Sequence, residues 1–290
     1  MLTWFDQQGN SAGTLGDPGE YSTPAISPDG SRVAVAMGAQ PNRDIWILDV
    51  ARGASTRFTF DPARDDYPVW SPDGKDIAFS STRGGQLDLY IKPSDGSGEE
   101  KLLLKTDEPK IVQNWTKDGR FLVFSSIAPK TADNLWALPY PGEAKPISLL
   151  ETPFREFLAR VSPDGRWLAY TSTESGTPDV YVRPFTPDAT AGMGAKWLVS
   201  KGGGLRPIWR PDSKELFYLT LPGPVMAVDI DTSKGFQAGT PRRMFMAPQT
   251  APQAGWDSRD GKRFLFVATP NSTRTIPFTV VLNWAAGLKK

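Results

Sequence analysis

The sequence contains no cysteine and no histidine. Without cysteine there is no disulfide framework and no thiolate-held zinc, and no compartment is favoured. Without histidine the chain lacks the usual general base near neutral pH and the commonest metal ligand. Charge of one dominant sign is missing too, since 33 Lys and Arg stand against 32 Asp and Glu. No basic run stands out, so a nucleic-acid backbone is not an expected partner. No stretch approaches the roughly 20 apolar residues of a membrane helix, so this chain is not expected to insert into a bilayer itself. Met1-Leu2-Thr3-Trp4-Phe5-Asp6 has neither a basic flank nor a long apolar run and does not read as a signal peptide. A strand-like segment directly after Met1 reads instead as a domain taken from a longer chain.

What is present is one stretch, repeated. In Tyr67-Pro68-Val69-Trp70-Ser71-Pro72-Asp73-Gly74-Lys75-Asp76-Ile77-Ala78-Phe79-Ser80, two runs of strand type flank Ser71-Pro72-Asp73-Gly74. Proline presets φ at the second turn position, aspartate follows, and glycine closes where φ > 0 costs little. A type I turn followed by a glycine bulge is a common hairpin connection. Asp73 therefore reads as turn chemistry, its side chain bonding nearby backbone, and not as a catalytic acid.

The pattern recurs with turn aspartates at 29, 73, 118, 164, 212 and 260, spaced 44, 45, 46, 48 and 48 residues apart. A period in the forties with about four strands per unit marks a β-propeller blade. The repeats cover nearly all of the 290 residues, which predicts one domain over 1–290. The 27 glycines and 27 prolines fall at hairpin turns and not in one linker, and ten Trp with 15 Phe supply bulk for packing between blades. Third strands are expected at Asp44–Asp49, Asp88–Ile91, Asn134–Leu138, Asp179–Val182 and Val225–Asp229. Fourth strands are expected at 56–59, 101–104, 146–149, 196–199 and 242–245. Blade six, with Arg263–Val267 and Thr279–Trp284, is one strand short. Leu2–Phe5 is spare, and docking it beside Thr279–Trp284 would close the ring and remove two open edges. The expected fold is an all-β, six-bladed propeller of four-stranded antiparallel blades, closed by the N-terminal strand. Seven blades are the alternative if a parent protein supplies another inner hairpin upstream.

These units resemble the TolB-like, WD-repeat-like propeller repeat: an aromatic, Ser-Pro-Asp-Gly, a short apolar strand, then Asp-(Ile/Leu/Val)-(Trp/Tyr). Trp70–Phe79 with Asp88-Leu89-Tyr90 matches, as does Val161–Tyr170 with Asp179-Val180-Tyr181. Lys117 and Arg259 depart from the proline, Ser213 from the glycine and Asp257 from the aromatic. The ends, Leu2-Thr3-Trp4-Phe5-Asp6, Thr14-Leu15-Gly16 and Val280-Val281-Leu282-Asn283-Trp284, look like the C-terminal propeller of bacterial receptor-type serine/threonine protein kinases. That resemblance implies a sensor or protein-interaction module, extracytoplasmic or periplasmic if a kinase and a membrane helix precede it. None of the kinase motifs is present here. Resemblance to TolB-like proteins implies binding of peptides or proteins across the mouth of the central channel.

Candidate sites divide by symmetry. Gly9-Asn10-Ser11-Ala12-Gly13 fits a nucleophile elbow, but that motif needs a strand-turn-helix and a histidine base. Asp229-Ile230-Asp231-Thr232-Ser233 lacks the glycine and distal Glu of a calcium loop. Asp44, Asp88, Asn134 and Asp179 recur at one position of successive blades, which argues for structure. Function is expected where symmetry breaks. Six residues before each turn aspartate stand Thr23, Tyr67, Val112, Leu158, Arg206 and Ala254, and two residues later Ala25, Val69, Asn114, Arg160, Ile208 and Trp256. Tyr67, Asn114, Arg160, Arg206 and Trp256 break the apolar pattern near the channel mouth. Two arginines with aromatics suit a carboxylate, a peptide end or an acidic side chain; the competing reading makes them ordinary rim and interblade residues.

The expectation is thus a non-enzymatic binding or sensor propeller with a protein or peptide partner, an acidic one by the chemistry of the arginines, with no cofactor, metal or catalytic residue assigned. The alternatives are a metal-dependent hydrolase or lyase built on carboxylates, and a purely structural spacer. Calcium and EDTA separate the first two: neither should move the melting temperature, whereas a rise of several degrees with calcium would mark an all-oxygen metal site.

Overall fold

The computed structural model describes residues 1–128, 132–142, 145–187, 194–220, 223–248 and 255–269. Every regular element among them is a β-strand. The strands form six antiparallel sheets arranged as the blades of a propeller. Blade one comprises Tyr21–Ile26, Arg32–Met37, Asp44–Asp49 and Ser55–Arg57 from the centre outward. Blade two comprises Asp65–Trp70, Asp76–Ser81, Asp88–Pro93 and Lys101–Leu104, and blade three Lys110–Trp115, Phe121–Ala128, Ala132–Pro139 and Ile147–Leu150. Blade four is built of Glu156–Val161, Trp167–Ser172, Asp179–Pro184 and Trp197–Leu198. Blade five has Leu205–Trp209, Glu215–Leu219, Pro224–Asp231 and Arg242–Met246; the far end of its long third strand also pairs with Gln237–Ala238.

Blade six corrects the expected closure. The N-terminal strand does close the ring, but Leu2–Phe5 pairs directly with Phe264–Val267, in register Leu2 to Val267 and Phe5 to Phe264. It fills the third-strand position, and Ser11–Leu15 fills the fourth. The position assigned above to Thr279–Trp284 is therefore occupied by the other end of the chain; those residues lie outside the described ones. Leu2 and Trp4 point into the core shared with blade one, so the N-terminal strand arrives with its own apolar face.

The turn chemistry is as the repeat requires. The hydroxyls of Ser27, Ser71 and Thr116 donate to the carboxylates of Asp29, Asp73 and Asp118 at 2.6, 2.7 and 2.6 Å. Hydrogen bonds from Ser27 and Ser31 hold the Asp29 carboxyl down at about 2. The closing glycines 30, 74, 119 and 165 have φ of 74, 74, 78 and 74°, and Ser213, in the glycine's place, adopts φ 61°.

Packing lies between blades. Six apolar clusters each join one pair of neighbours, the last uniting Trp4 and Leu265 of blade six with Ile26 and Val33 of blade one. Each fully buried Leu, Ile or Phe contributes roughly 1.5–3 kcal/mol relative to exposure. Buried ion pairs sit between blades as well. Lys110 of blade three donates to Asp88 of blade two at 3.0 Å, with both side chains almost wholly inaccessible. Asp179 accepts from Ser200 Oγ and Gly203 N at 2.9 Å each, so the recurrent aspartates serve the architecture. Among the described residues no helix is long and apolar enough to cross a membrane.

Deleting residues 1–16 would strip two strands from blade six and expose the edge of Phe264–Val267. The expected outcome is loss of the cooperative thermal transition and association through the open edge, read by circular dichroism and size-exclusion chromatography; an unchanged melt would contradict this closure.

Candidate functional site

The innermost strands of all six blades surround a cavity of about 630 Å³ on the propeller axis. That size falls within the few hundred to about a thousand Å³ usual for ligand pockets. Tyr67, Asn114, Arg160, Arg206 and Trp256 all line it. The structure brings the five together but gives them different tasks.

Four of the positions six residues before the turn aspartate have left-handed backbone: Thr23, Tyr67, Leu158 and Arg206, with φ of 48, 57, 55 and 57°. Each lies in a β-bulge, where pairing with the second strand shifts register between Ser22 and Ala25, Asp66 and Val69, Phe157 and Arg160, or Leu205 and Ile208. Such a conformation costs a non-glycine residue on the order of 1–3 kcal/mol and persists where its surroundings over-determine it. At Tyr67 the surroundings are visible. The Asp66 carboxylate accepts from Tyr67 N at 2.9 Å, Thr23 Oγ1 at 2.8 Å and Arg43 at 2.9 Å. A proline follows Thr23, Tyr67 and Arg206 and closes the right-handed helical region to each of them. Bulges re-aim side chains, and here they turn one residue per blade at the head of the channel.

Three of the five, Asn114, Trp256 and Arg160, are engaged in joining blades. Asn114 Oδ1 accepts from Val161 N of blade four at 2.9 Å. Asp257 does the same across the closing joint, accepting from Ile26 N at 2.8 Å. Trp70 and Trp209 carry equivalent bonds from their indole N–H to the carbonyls of Ala25 and Arg160, at 2.9 and 3.0 Å. Trp256 is 4% exposed and stacks on Phe264 and Phe266 with ring centroids 5.9 and 5.3 Å apart, so it belongs largely to the core between blades five and six.

The two arginines also differ. Arg160 donates to the carbonyl oxygens of Gln113 and, at 3.3 Å, of Ala159. Burial lowers its pKa, an effect opposed by the Asp257 charge. Arg206 has no hydrogen bond or ion pair with another described residue. Burial and then the neighbouring Arg160 charge push it down to about 10, with Tyr67 acting in the opposite sense, so it stays cationic at neutral pH. Sequence reasoning missed Lys117, Asp133, Arg155 and Arg259, which also line the cavity. Arg155 is paired with Asp133 at 2.8 Å, and Arg259 donates to Pro28 O at 3.2 Å. Among the described residues the lining thus carries Lys117, Arg155, Arg160, Arg206 and Arg259 against the carboxylates of Asp133 and Asp257. The net field in the cavity is positive in a chain whose total charge is nearly balanced.

A closed ring of six four-stranded blades around a ligand-sized, electropositive channel defines a β-propeller with an axial binding cavity. Residues 11–135 match the family model of the TolB beta propeller domain, so that stretch carries TolB-like propeller repeats. The structure of a putative TolB from Agrobacterium tumefaciens superposes with a TM-score of 0.68 over 91% of this chain and 96% of that one, at 17% identity. Among curated proteins, Tricorn protease homolog 1 of Streptomyces coelicolor is 29% identical over 107 residues, 37% of this chain and 10% of its own length. The uncharacterized peptidase YuxL of Bacillus subtilis is 36% identical over 110 residues, 34% of this chain and 16% of its own. The matched part is thus a small fraction of each of these two relatives.

The strand that carries Leu158 and Arg160 begins at Glu156, which is 1% exposed. Its Oε1 accepts from Thr152 Oγ1 at 2.7 Å and Ser172 Oγ at 3.3 Å, while Oε2 has no partner among the described residues. Burial raises its pKa above the ordinary 4.5. Between 4.5 and that raised value the folded state keeps a proton the unfolded chain has released, so stability falls as pH rises through the window. Glu156→Gln should therefore raise stability at pH above the window by about 1 kcal/mol. The gain should shrink as pH is lowered towards 4.5, which melts across a pH series would show.

Proposed function

We propose that this chain is a non-enzymatic binding propeller that receives a protein or peptide partner at the mouth of its central channel. The observation that carries the reading is the cavity lined by all six blades with, among the described residues, five cationic side chains against two carboxylates. Excess positive charge focused by low-dielectric walls attracts acidic ligands and speeds their encounter. The TolB-like repeats in residues 11–135 favour a protein partner. The hydrolase or lyase alternative would need free carboxylates at the cavity. Asp133 is paired with Arg155, and Asp257 accepts from the backbone N–H groups of Ile26 and Ser258. The peptidase names of two partial relatives belong to proteins several times longer than the matched segment.

As a finer reading, we propose a sensor role downstream of a membrane-anchored kinase, on the resemblance of the two ends of the chain. It would place the channel outside the cytoplasm, and the full open reading frame tests it directly.

Binding of fluorescent pools of acidic and basic random peptides, followed by anisotropy at two salt concentrations, tests the channel. The acidic pool should bind the wild-type chain better, and more weakly at high salt. Arg206→Glu should reverse the preference by about tenfold or more, while Arg52→Glu, at an exposed outer turn, should not. Equal behaviour of the two variants would remove the channel from the recognition surface.

A further inference from the structure

This inference rests on the binding reading above and concerns what the partner presents to the channel. We propose that the cavity takes the C-terminal carboxylate of a partner polypeptide, held by Arg206.

The cations lining the cavity are not equivalent. Arg155 is held by Asp133, Arg160 by the carbonyls of Gln113 and Ala159, and Arg259 by the carbonyl of Pro28. Lys117 is exposed in the turn at the opposite end of its strand. Arg206 is partly buried, faces the like charge of Arg160, and finds no carboxylate or carbonyl among the described residues. A guanidinium held in a half-dry channel without a counter-ion retains its donors for an incoming acceptor, and desolvation strengthens the pairing. A carboxylate matches the guanidinium fork with two parallel hydrogen bonds.

Access selects a chain end. Six inner strands enclose the cavity, so a polypeptide enters along the axis. A free terminus can do so as a single extended strand, whereas an internal acidic residue brings two chain segments through the same opening. Apolar walls beside Arg206, at Leu158 and Ile208, suit an apolar terminal side chain. The left-handed backbone of Arg206, backed by Pro207, fixes its Cα before the ligand arrives, which lowers the ordering cost of binding. Capture of a terminal carboxylate is a known mode of peptide recognition.

The test uses the whole chain and two bead libraries of random heptapeptides, identical except that one ends in a free carboxylate and the other in an amide. Binders should come from the free-acid library with apolar C-terminal residues. Amidating a selected peptide should weaken it by about ten- to a hundredfold, as expected for loss of one charge-assisted pair. Arg206→Gln should lose a similar factor for the acid and little more for the amide, and Arg206→Lys should recover part of the loss. Because amidation alters only the ligand, the result stands even if a variant folds poorly. Equal recovery from both libraries, with internal Asp or Glu enriched, would overturn the terminal-carboxylate assignment and leave the acidic-ligand reading in place. Failure of both libraries to yield any binder would overturn both.

Discussion

Everything in this molecule depends on the inability of a four-stranded twisted sheet to hide its own two faces. Each blade carries apolar residues on both sides, and each side is covered only by the neighbouring blade. Val33 and Val35 of blade one face blade six, while Ala34 and Ala36 face blade two. Alternation along a single strand therefore feeds two different cores. Such an arrangement has no natural end until the sixth blade meets the first. The N-terminal strand supplies that meeting by completing blade six, so the ring is fastened by hydrogen bonds between segments that are far apart in sequence.

Closure has a second consequence. Once the blades are fixed radially, the heads of the innermost strands converge on the axis, and the bulge shared by four of them turns one side chain each toward the channel. Several residues at the channel head are spent on architecture. Thr23 supports the Asp66 network, Asn114 and Asp257 tie neighbouring blades, and Trp256 packs against phenylalanines. What remains, among the described residues, is a channel with a surplus of positive charge and one arginine there that finds no hydrogen-bond or ion-pair partner. The propeller scaffold supplies rigidity, and its departures from symmetry supply the recognition chemistry.

Much of this was legible in the chain. The Ser-Pro-Asp-Gly turns and their even spacing gave six repeat units, the strand order of blades one to five and the structural role of the aspartates, because turn chemistry is local and repeats in register. Position arithmetic from the turn aspartates also gathered Tyr67, Asn114, Arg160, Arg206 and Trp256 at one cavity. It did not separate them. Arg160 and Arg206 read alike in sequence, yet one is held by backbone carbonyls and the other is not. The strand beside Phe264–Val267 was misassigned for a related reason: Thr279–Trp284 and Leu2–Phe5 are equally good strands, and nearness along the chain favoured the wrong one.

The sequence alone determined the repeat, the β-hairpins and the absence of histidine and thiol chemistry, since each follows from local backbone preference or composition. Only the tertiary structure decided which strand closes the ring, which residues adopt left-handed backbone at the channel head, and which cation is left uncompensated. Those outcomes depend on contacts between blades, and a guanidinium's partners are set by what the ring brings within hydrogen-bonding distance, which no linear spacing encodes.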